Sequence, residues 1–544
     1  MRTRSLVWLS LILTSLPLLA QDLKESPNVL LRQADVAYHA KRYGESAKLY
    51  SQTLVLASDV VRADAEYSLA CAQALAGDHV AAITALQHAV EDGYLDRKVV
   101  ESDAALTSLH SDQAWPKLLE HMSQLKAERD ARWGDAAFDT PYVENISDAE
   151  KLAGLSELWT QAKYGFGNFW HVPQLNWDQS YREFIPQVLA THSTDEYYRV
   201  LTRFYALLQD GHSKVYAPGM LNGKYGRLPL RTRLIEGHLL VIGAGDPELD
   251  GIRPGDEIVS INGEPALHWA ERNIAPYVSA STPQDRDVRT YDYGLFLAPI
   301  GTQFALVTQK HSGTQNKHFF TVAGDTPHRQ LEFELKLLPG NIAYVALNGF
   351  GDETAAKEWD SHWAEIAKAS ALILDLRENG GGNDSFGFHI LAALVDKPTP
   401  ELLCLSTRWI ATPYASNMGE VPLRYPLEFI DPDPERHYSG PVAMLISPRT
   451  FSAAEDTAIA FVQSHRGKVL GEPTGGSTGM PLSFKLPGGG KAHVCTEHDS
   501  FADGREFIGV GVLPDIPVAV TRDDIIAGRD PVLETAIHLL HAGN

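Results

Sequence analysis

Apolar runs and amphipathic stretches alternate along the C-terminal part of the chain. The runs "IAYVALNGF", "ALILDLREN" and "PVAMLISP" have the length and apolar content of buried strands. Amphipathic stretches predict helices at "DETAAKEWDSHWAEIAKA", at "FGFHILAALVD" and from Ala453 to about His465. Buried strands followed by crossover helices predict a largely parallel sheet covered on both faces, with ligands beyond the carboxyl ends of the strands. We expect residues 329–544 to form this α/β core.

The pattern of the N-terminal part is helical and repetitive. "YGESAKLYSQTL" from Tyr43 and "HVAAITALQHAV" from His79 begin 36 residues apart and share a spacing of bulky, small and large apolar positions. This spacing resembles that of tetratricopeptide (TPR) repeats, whose period is about 34 residues. We expect residues 26–132 to form a TPR-like helical domain, a short solenoid that could bind a protein partner. An ordinary amphipathic helical bundle is the alternative.

Two further segments are predicted between these parts. Residues 138–224 keep a helical pattern rich in aromatic residues, whereas residues 225–328 consist of short β-like runs divided by turn residues. In "GIRPGDEIVSINGEPA", a tight turn at Pro254–Asp256 precedes a half-buried strand at Glu257–Ile261. This string resembles half of a PDZ domain, a fold that typically binds a peptide as an added strand.

Composition and charge narrow the class of protein. Of the 544 residues, 44% are hydrophobic and 21% charged, so the chain can bury a sizeable core. Arg2 and Arg4 precede an apolar run that ends at Ala20, which predicts a signal peptide over residues 1–20, with an uncleaved anchor as the alternative. The formal net charge of −22 becomes −24 after cleavage and disfavours nucleic acid and anionic membranes as partners. We expect an exported protein, periplasmic or secreted, without a stable membrane span.

The stretch "PRTFSAAEDTAIAF" contains a serine with two alternative roles. Ser452 and Glu455 have the spacing of a helix capping box, which requires no function. The first turn of a helix is also where a nucleophile would be placed, because free amides and the helix dipole favour developing negative charge. Ser452 is therefore either a cap or a nucleophile.

Two other motifs bear on that choice. Gly380, Gly381 and Gly382 follow a buried strand directly, and their amides can form an anion-binding concavity. No nucleotide-binding motif can be read there. His212, in "LLQDGHSKVY", is a candidate base, since a serine hydroxyl needs one at neutral pH.

Six motifs together resemble those of the S41 serine peptidases, the family of C-terminal processing proteases and tricorn-type proteases. In chain order they are "LLQDGHSKVY", "GIRPGDEIVSINGEPA", "LILDLRENGGG", "TFSAAED", "LGEPTGGSTG" and "GVGVLPDIPV". The resemblance spans about Thr140 to Thr521 and implies a ClpP/crotonase-like α/β core with an embedded PDZ-like domain. It also implies that Ser452 is the nucleophile, with an oxyanion hole made by the amides of Ala453 and of Gly381 or its neighbour.

The base is where the chain departs from one branch of that family. C-terminal processing proteases use a lysine 25 residues after the serine, where this chain has Ser477 and no lysine between Lys468 and Lys485. Tricorn-type members use a histidine, which corresponds to His212. The resemblance therefore implies a Ser–His mechanism, for which we expect a pH profile near neutrality.

The third catalytic group stays open at this level. The resemblance implies a late glutamate, for which Glu506 is the candidate, although an exposed edge-strand carboxylate would look the same. Asp210 could instead brace the His212 loop, and Ser213 or Ser477 could take part in hydrogen bonding.

The sequence also contains candidate residues for a metal site and for a disulfide. In "HVCTEH", His493, Cys495 and Glu497 would share one face of a strand and could hold zinc, but the spacing matches no standard zinc motif. The three cysteines, Cys71, Cys404 and Cys495, exclude a disulfide framework and leave a single pair open. We therefore expect no metal and no cofactor.

The sequence thus predicts an exported serine peptidase that cleaves peptides or unfolded proteins through an acyl-enzyme. The alternative is a catalytically silent S41-like scaffold that binds peptides through its PDZ-like and TPR-like modules. Joint retention of Ser452, His212 and the glycines favours the enzyme, because a pure binding protein needs none of them.

Overall fold

A computed structural model describes residues 27–56, 59–244, 251–324, 331–409, 411–416 and 421–542 of the chain. The chain divides into two compact units, one ending at Gly134 and the other beginning at Asp135. The predicted signal peptide lies outside the described residues. Among the helices of the described ranges, none combines the length and the apolar character needed to cross a membrane.

The first unit is built from helices. They are α1 (Pro27–His39), α2 (Tyr43–Leu56), α3 (Asp59–Leu75), α4 (His79–Glu91), α5 (Arg97–Ser102) and α6 (Trp115–Trp133), with a 3-10 segment at Ala104–Leu109. The buried alanines Ala82, Ala85 and Ala89 on α4 allow close packing of neighbouring helices. This part is helical, as the pattern predicts, and its TPR-like identity stays a prediction.

The second unit begins with a helical segment. It contains α7 (Asp148–Gly165), α8 (Trp177–Leu189), α9 (Thr194–Tyr205), the strand β1 (Lys214–Tyr216) and α10 (Pro218–Leu221). Ser147 and Glu150 form a capping box at the start of α7. The predicted aromatic residues fill the core, since Trp177 and Phe204 are buried and stacked with ring centroids 4.3 Å apart.

A β-rich segment follows in the same unit. Its strands are β2 (Tyr225–Arg227), β3 (Leu230–Ile235), β4 (His238–Ala244), β5 (Glu257–Ile261), β6 (Glu264–Pro265), β7 (Leu297–Pro299), β8 (Gln303–Gln309) and β9 (Gln315–Thr321), with helices α11 (Ala266–Asn273) and α12 (Pro283–Val288). The main sheet has the order β3-β4-β5-β8-β9, and β6 pairs with β5. Strand β5 has the predicted bounds, and Gly255 in the turn before it has a φ of +88°. The PDZ-like identity of the segment stays a prediction.

The remaining elements alternate between strands and helices. The strands are β10 (Phe333–Leu338), β11 (Ile342–Leu347), β12 (Ala371–Asp375), β13 (Thr399–Pro400), β14 (Leu403–Arg408), β15 (Val421–Arg424), β16 (Phe429–Ile430), β17 (Val442–Ile446), β18 (Gly467–Gly471), β19 (Pro481–Leu486), β20 (Gly490–Cys495), β21 (Glu497–Ser500) and β22 (Ile516–Pro517). The helices are α13 (Thr354–Ile366), α14 (Asp384–Ala392), α15 (Ala411–Ala415), α16 (Ala453–Ser464), α17 (Arg522–Ala527) and α18 (Pro531–Ala542).

A six-stranded sheet forms the core, in the order β10-β11-β12-β17-β18-β22. Its strands are parallel except for β10, which is antiparallel to β11 at one edge. Both faces are covered, because Leu372 and Leu374 of β12 belong to one apolar cluster while Ala371 and Ile373 belong to another. The predicted parallel sheet is therefore present, with one antiparallel edge strand.

This sheet brings the two candidate loops together. Asp375, the last residue of β12, lies beside Leu445 near the end of the parallel neighbour β17. The glycine loop and the segment leading to Ser452 therefore leave the sheet at the same edge, where ligands of such sheets bind.

Smaller sheets complete the unit. β1 pairs with β20 in a three-stranded sheet with β19, so Lys214 lies opposite His493. Strand β14 lies between β15 and β21 in another, and β13 pairs with β16. The three cysteines are free, so the pair that the sequence left open is not formed.

Candidate active site

Ser452 lies at the start of α16 in a sparsely populated backbone conformation, with φ of 56° and ψ of −130°. Ser452 and Glu455 keep the arrangement of a capping box, but no helix amide makes a hydrogen bond to Ser452 Oγ; the Glu455 amide donates instead to the Ser452 carbonyl, at 2.6 Å. The backbone is held instead, because the Ser452 amide donates to Glu455 Oε2 at 3.3 Å and to the Ser477 carbonyl at 3.3 Å. The hydroxyl is therefore free of the helix.

His212 lies directly beside that hydroxyl. Its Nε2 is 2.9 Å from Ser452 Oγ, although the two residues are far apart in sequence. The imidazole stacks on the ring of Phe451, with centroids 4.8 Å apart. If the serine hydroxyl donates to Nε2, the ring proton is on Nδ1, the tautomer in which histidine can act as a base.

Asp210 fixes the loop that carries His212. Its Oδ1 accepts from the His212 amide at 3.0 Å and from Ser213 Oγ at 2.8 Å. Ser213 Oγ in turn accepts from the Cys495 amide at 3.1 Å, which attaches the loop to β20. Asp210 is buried, burial raises its pKa, and it braces the loop without touching the imidazole.

The surroundings keep the imidazole neutral. Burial, the positive charge of Arg289 and His493 together lower the pKa of His212 to about 3. Arg289 is held by Asp285, whose oxygens accept from its Nε at 2.7 and 2.8 Å, and its guanidinium lies 4.9 Å from the centroid of Phe451. At neutral pH the ring is thus an unprotonated acceptor.

On the other side of the ring, His212 Nδ1 donates to Ser477 in this tautomer. Its Oγ is 2.9 Å from Nδ1, its side chain is buried, and its amide donates to Glu455 Oε2 at 3.0 Å. Glu506, the predicted third group, lies elsewhere: its Oε2 is 2.7 Å from His498 Nε2, and its side chain is 47% exposed. Ser477, and not the predicted Glu506, is therefore the group that contacts Nδ1 of the imidazole.

Glu455 connects the residues around the serine. It is fully buried and accepts from Thr474 Oγ1 at 2.5 Å and from the Gly476 amide at 2.7 Å, besides the amides of Ser477 and Ser452. Burial raises its pKa to about 8. The sequence suggests a helix cap at Glu455, and the structure adds that this side chain ties the Ser477 loop to the helix.

The glycine loop packs against the serine. A side chain at Gly381 would place its Cβ 2.6 Å from Ser452 Cβ, so only glycine fits, and its φ is +96°. The Gly381 amide donates to Asn379 Oδ1 at 2.9 Å. The Ala453 amide points away from the helix ladder and makes no hydrogen bond within the described ranges. Of the two predicted oxyanion donors, Ala453 is therefore available and Gly381 is already engaged.

Sequence reasoning missed several neighbours of the pair. Phe451 and Arg289 shape the surroundings of His212, and no motif singles out Arg289, which comes from a different segment. A cavity of about 260 Å³ opens beside the His212 loop, with Ser213, Lys214 and Arg289 in its wall together with five tyrosines. Its lining is aromatic and cationic.

The three residues that could have held zinc, His493, Cys495 and Glu497, are not assembled into a site. The His493 ring lies against Tyr216, with centroids 4.8 Å apart, and Cys495 Sγ contacts the carbonyls of Thr478 and Glu497. Strand β20 ends at Cys495 and β21 begins at Glu497, so the three residues do not share one strand.

A serine and a neutral histidine at the carboxyl edge of a parallel sheet define a candidate serine hydrolase site. Comparison with known families sharpens this class. Residues 341–518 match the model of peptidase family S41, and residues 249–293 match the N-terminal domain model described as Bacteroidetes, peptidase, S41 family. Over residues 341–518 the chain is therefore similar to the serine-type peptidases of family S41.

Curated relatives agree with this assignment. The chloroplastic C-terminal processing peptidase of Tetradesmus obliquus is 25% identical over 278 residues, 50% of this chain and 54% of the relative. The carboxy-terminal processing protease CtpA of Bacillus subtilis (strain 168) is 24% identical over 286 residues, 52% of this chain and 53% of the relative. The chain thus spans about half the length of these relatives.

Among solved structures, mature CPAF in complex with lactacystin superimposes with a TM-score of 0.58 at 16% identity. The match covers 72% of this chain and 98% of that one. At this identity the likeness concerns the fold.

Proposed function

We propose that the chain hydrolyses peptide bonds, with Ser452 as nucleophile and His212 as general base. The observation that carries this proposal is the 2.9 Å contact between His212 Nε2 and Ser452 Oγ, in a serine whose hydroxyl is not used as a helix cap. The lowered pKa of His212 means that its Nε2 is unprotonated at neutral pH. Ser477, at Nδ1, holds the ring in the required tautomer.

The reaction follows from these positions. Ser452 Oγ attacks the substrate carbonyl while its proton passes to His212 Nε2. The C–N bond then breaks, and the amine leaves with that proton. Water gives a proton to Nε2 as it attacks the acyl-enzyme, and the proton returns to Ser452 when the acid leaves.

The oxyanion hole is the least complete part of the site. The Ala453 amide donates to the oxyanion, and it lies at the positive end of α16. Gly381 contributes a second amide by giving up or sharing its bond with Asn379 Oδ1. Its lack of a side chain also lets the substrate carbonyl approach Ser452.

The substrate is a peptide or an unfolded protein. Two relatives are named for C-terminal processing, which supports a chain terminus as the place of cleavage. The cavity beside Ser213, Lys214 and Arg289 is wide enough for one large side chain, and we infer that it receives a substrate residue next to the scissile bond.

The finer assignments of the other segments rest on sequence pattern. We propose that residues 225–328 act as a PDZ-like peptide-binding module and residues 26–132 as a TPR-like module for a protein partner. We also propose export, supported by the charged and apolar pattern of residues 1–20. N-terminal sequencing of protein from a fractionated host tests the cleavage after Ala20.

A serine-directed phosphonate probe tests the catalytic proposal. We expect wild type to be labelled and to cleave a reduced, alkylated protein, and Ser452→Ala to lose both activities. Ser464→Ala, at the other end of α16, is the matched control and keeps both. His212→Ala should lower both rates by at least about a thousandfold.

Two results would refute the assignment. Folded wild type that neither reacts with the probe nor cleaves any peptide would favour the silent scaffold. Unchanged turnover in His212→Ala would instead leave the nucleophile in place and remove histidine as its base.

A further inference from the structure

A second group of chemically active side chains lies outside the Ser452 site, on the sheet formed by β14 and β21. Cys404 of β14 lies directly opposite Asp499 of β21, so their side chains leave the sheet on the same face. Glu497 is two residues before Asp499 on β21 and shares that face. One potential ligand atom from each of the three lies within 4.8 Å of the others.

The same register excludes the neighbouring histidine. His498 lies between Glu497 and Asp499 and points to the opposite face, where its ring stacks on Trp170 at 4.7 Å and bonds to Glu506. The face that carries Cys404 therefore has carboxylates and a thiol but no imidazole.

Further acidic groups surround this face without a cation to balance them. Three more carboxylates interact electrostatically with Asp499 or with one another. They are Asp456, one turn into α16, Asp384, the first residue of α14, and Glu401, which precedes β14. Within the described ranges, none of these five carboxylates makes an ion pair with a lysine, arginine or histidine.

Two carboxylate oxygens in this group have no hydrogen-bond partner within the described ranges. Asp499 is 3% exposed; its Oδ2 accepts from Thr478 Oγ1 at 2.6 Å, but its Oδ1 is buried and unpartnered. Asp456 Oδ1 is likewise buried without a partner. Buried polar atoms are nearly always satisfied, so these two oxygens point to a missing positively charged ligand.

We propose that Cys404, Glu497 and Asp499 bind a divalent transition-metal ion, and that its chemistry matches Zn²⁺. A thiolate with two carboxylates suits zinc, whereas calcium and magnesium take oxygen ligands and reject sulfur. Ligand atoms around tetrahedral zinc lie about 3.5 Å apart, so the ion would draw the three side chains together by about an ångström. The carboxylate of Asp456, which interacts electrostatically with Asp499, would accept from a water in the fourth position.

The position of this site gives it a structural consequence. Asp456 belongs to the helix that starts after Ser452, and Asp384 follows the glycine loop through Asn383. An ion held here would fix the first turns of α16 and α14 relative to β21. The proposal depends on neither Ser452 nor His212 and stands or falls separately from the peptidase assignment.

Cobalt provides the direct test, because a thiolate bound to Co²⁺ gives a near-ultraviolet charge-transfer band. We expect metal-free full-length protein to take up about one Co²⁺ per chain with this band, and Zn²⁺ to displace it. Cys404→Ser should abolish the band, and Asp499→Asn or Glu497→Gln should weaken binding at least about tenfold. Cys71→Ser and Asp503→Asn are matched controls, a second thiol and a nearby exposed acid, and should bind as wild type does.

Two results would refute the proposed metal site. Wild-type protein that shows no charge-transfer band, and that retains less than a tenth of an equivalent of Zn²⁺ by elemental analysis after gel filtration, would refute the site without any variant. A band that survives in Cys404→Ser would refute the proposed ligands. Circular dichroism shows that each variant compared is folded.

Discussion

Glycine and alanine at position 452 separate the backbone strain of Ser452 from the chemistry of its hydroxyl. With φ at 56° and ψ at −130°, Ser452 has a backbone conformation in which a Cβ atom clashes with the backbone and which glycine adopts readily. Both Ser452→Ala and Ser452→Gly remove the nucleophile and should abolish labelling. Only the glycine variant also removes the strain.

The size of the difference follows from two opposing terms. A residue held in such a region costs about 1–3 kcal/mol. Glycine gives back about 0.5–1 kcal/mol, since it loses more conformational freedom on folding. We therefore expect Ser452→Gly to be more stable than Ser452→Ala by about 1 kcal/mol.

Calorimetry and urea unfolding can detect this difference. For a unit of about 400 residues the entropy of unfolding is about 0.9 kcal/mol per kelvin, so Tm should differ by only about 1 °C. The shift of the urea midpoint is the more sensitive measure. Ser361, exposed in the middle of α13, is the matched control, and there glycine should be less stable than alanine by about 1 kcal/mol.

The two positions should thus respond with opposite signs. If Ser452→Gly proved less stable than Ser452→Ala, as at Ser361, the serine would not be strained. The reasoning that the fold holds Ser452 in place for chemistry would then be wrong.

Three other outcomes follow from the site. Ser477→Ala should lower kcat by about 10- to 100-fold at unchanged KM, because the hydrogen bond between Ser477 and the imidazolium that forms on His212 contributes about 1.5–3 kcal/mol. An unchanged kcat would contradict this role of Ser477. Because the pKa of His212 is lowered to about 3, protonation of its ring should inactivate the site only in strong acid. We therefore expect kcat/KM to stay level from about pH 7 to about pH 5, and a fall of kcat/KM with an apparent pKa near 6.5 would contradict this. Gly381→Ala should abolish labelling through its clash with Ser452, whereas Gly380→Ala, with open space around its Cβ position, should retain it.

The strands and helices of the core can be predicted from the sequence because they depend on local patterns of apolar and polar residues. β17 (Val442–Ile446) lies within the predicted run "PVAMLISP", and β12 (Ala371–Asp375) begins with the predicted run "ALILDLREN" and ends before its polar residues. The predicted helix from Ala453 ends at Ser464, one residue short of His465. Long apolar runs bounded by glycine, proline or polar residues leave little choice of secondary structure.

The contacts of His212 are harder to predict, because they join segments far apart in the chain. The motif comparison indicates His212 and Ser452, and the structure places them 2.9 Å apart. It does not indicate that Glu506 turns towards His498, since that depends on which face of β21 the histidine occupies. The low pKa of His212 comes first from burial and then from Arg289, a residue without a motif, so the expected pH profile shifts from neutrality towards acid.

At Ser452, the contact of the hydroxyl with His212 Nε2 at 2.9 Å favours the nucleophile over the cap. A capping box would use the serine hydroxyl to satisfy a helix amide, and the hydroxyl would then be unavailable to His212. Here the amides of Ser452 and Ser477 both donate to Glu455 Oε2, so the backbone at Ser452 is held without its hydroxyl. The same carboxylate therefore keeps the strained serine in place and sets Ser477 at the far side of the imidazole. Ser452, His212 and Ser477 form a chain of hydrogen bonds whose first and last residues both donate an amide to Glu455. A displacement of Glu455 would therefore disturb Ser452 and Ser477 together.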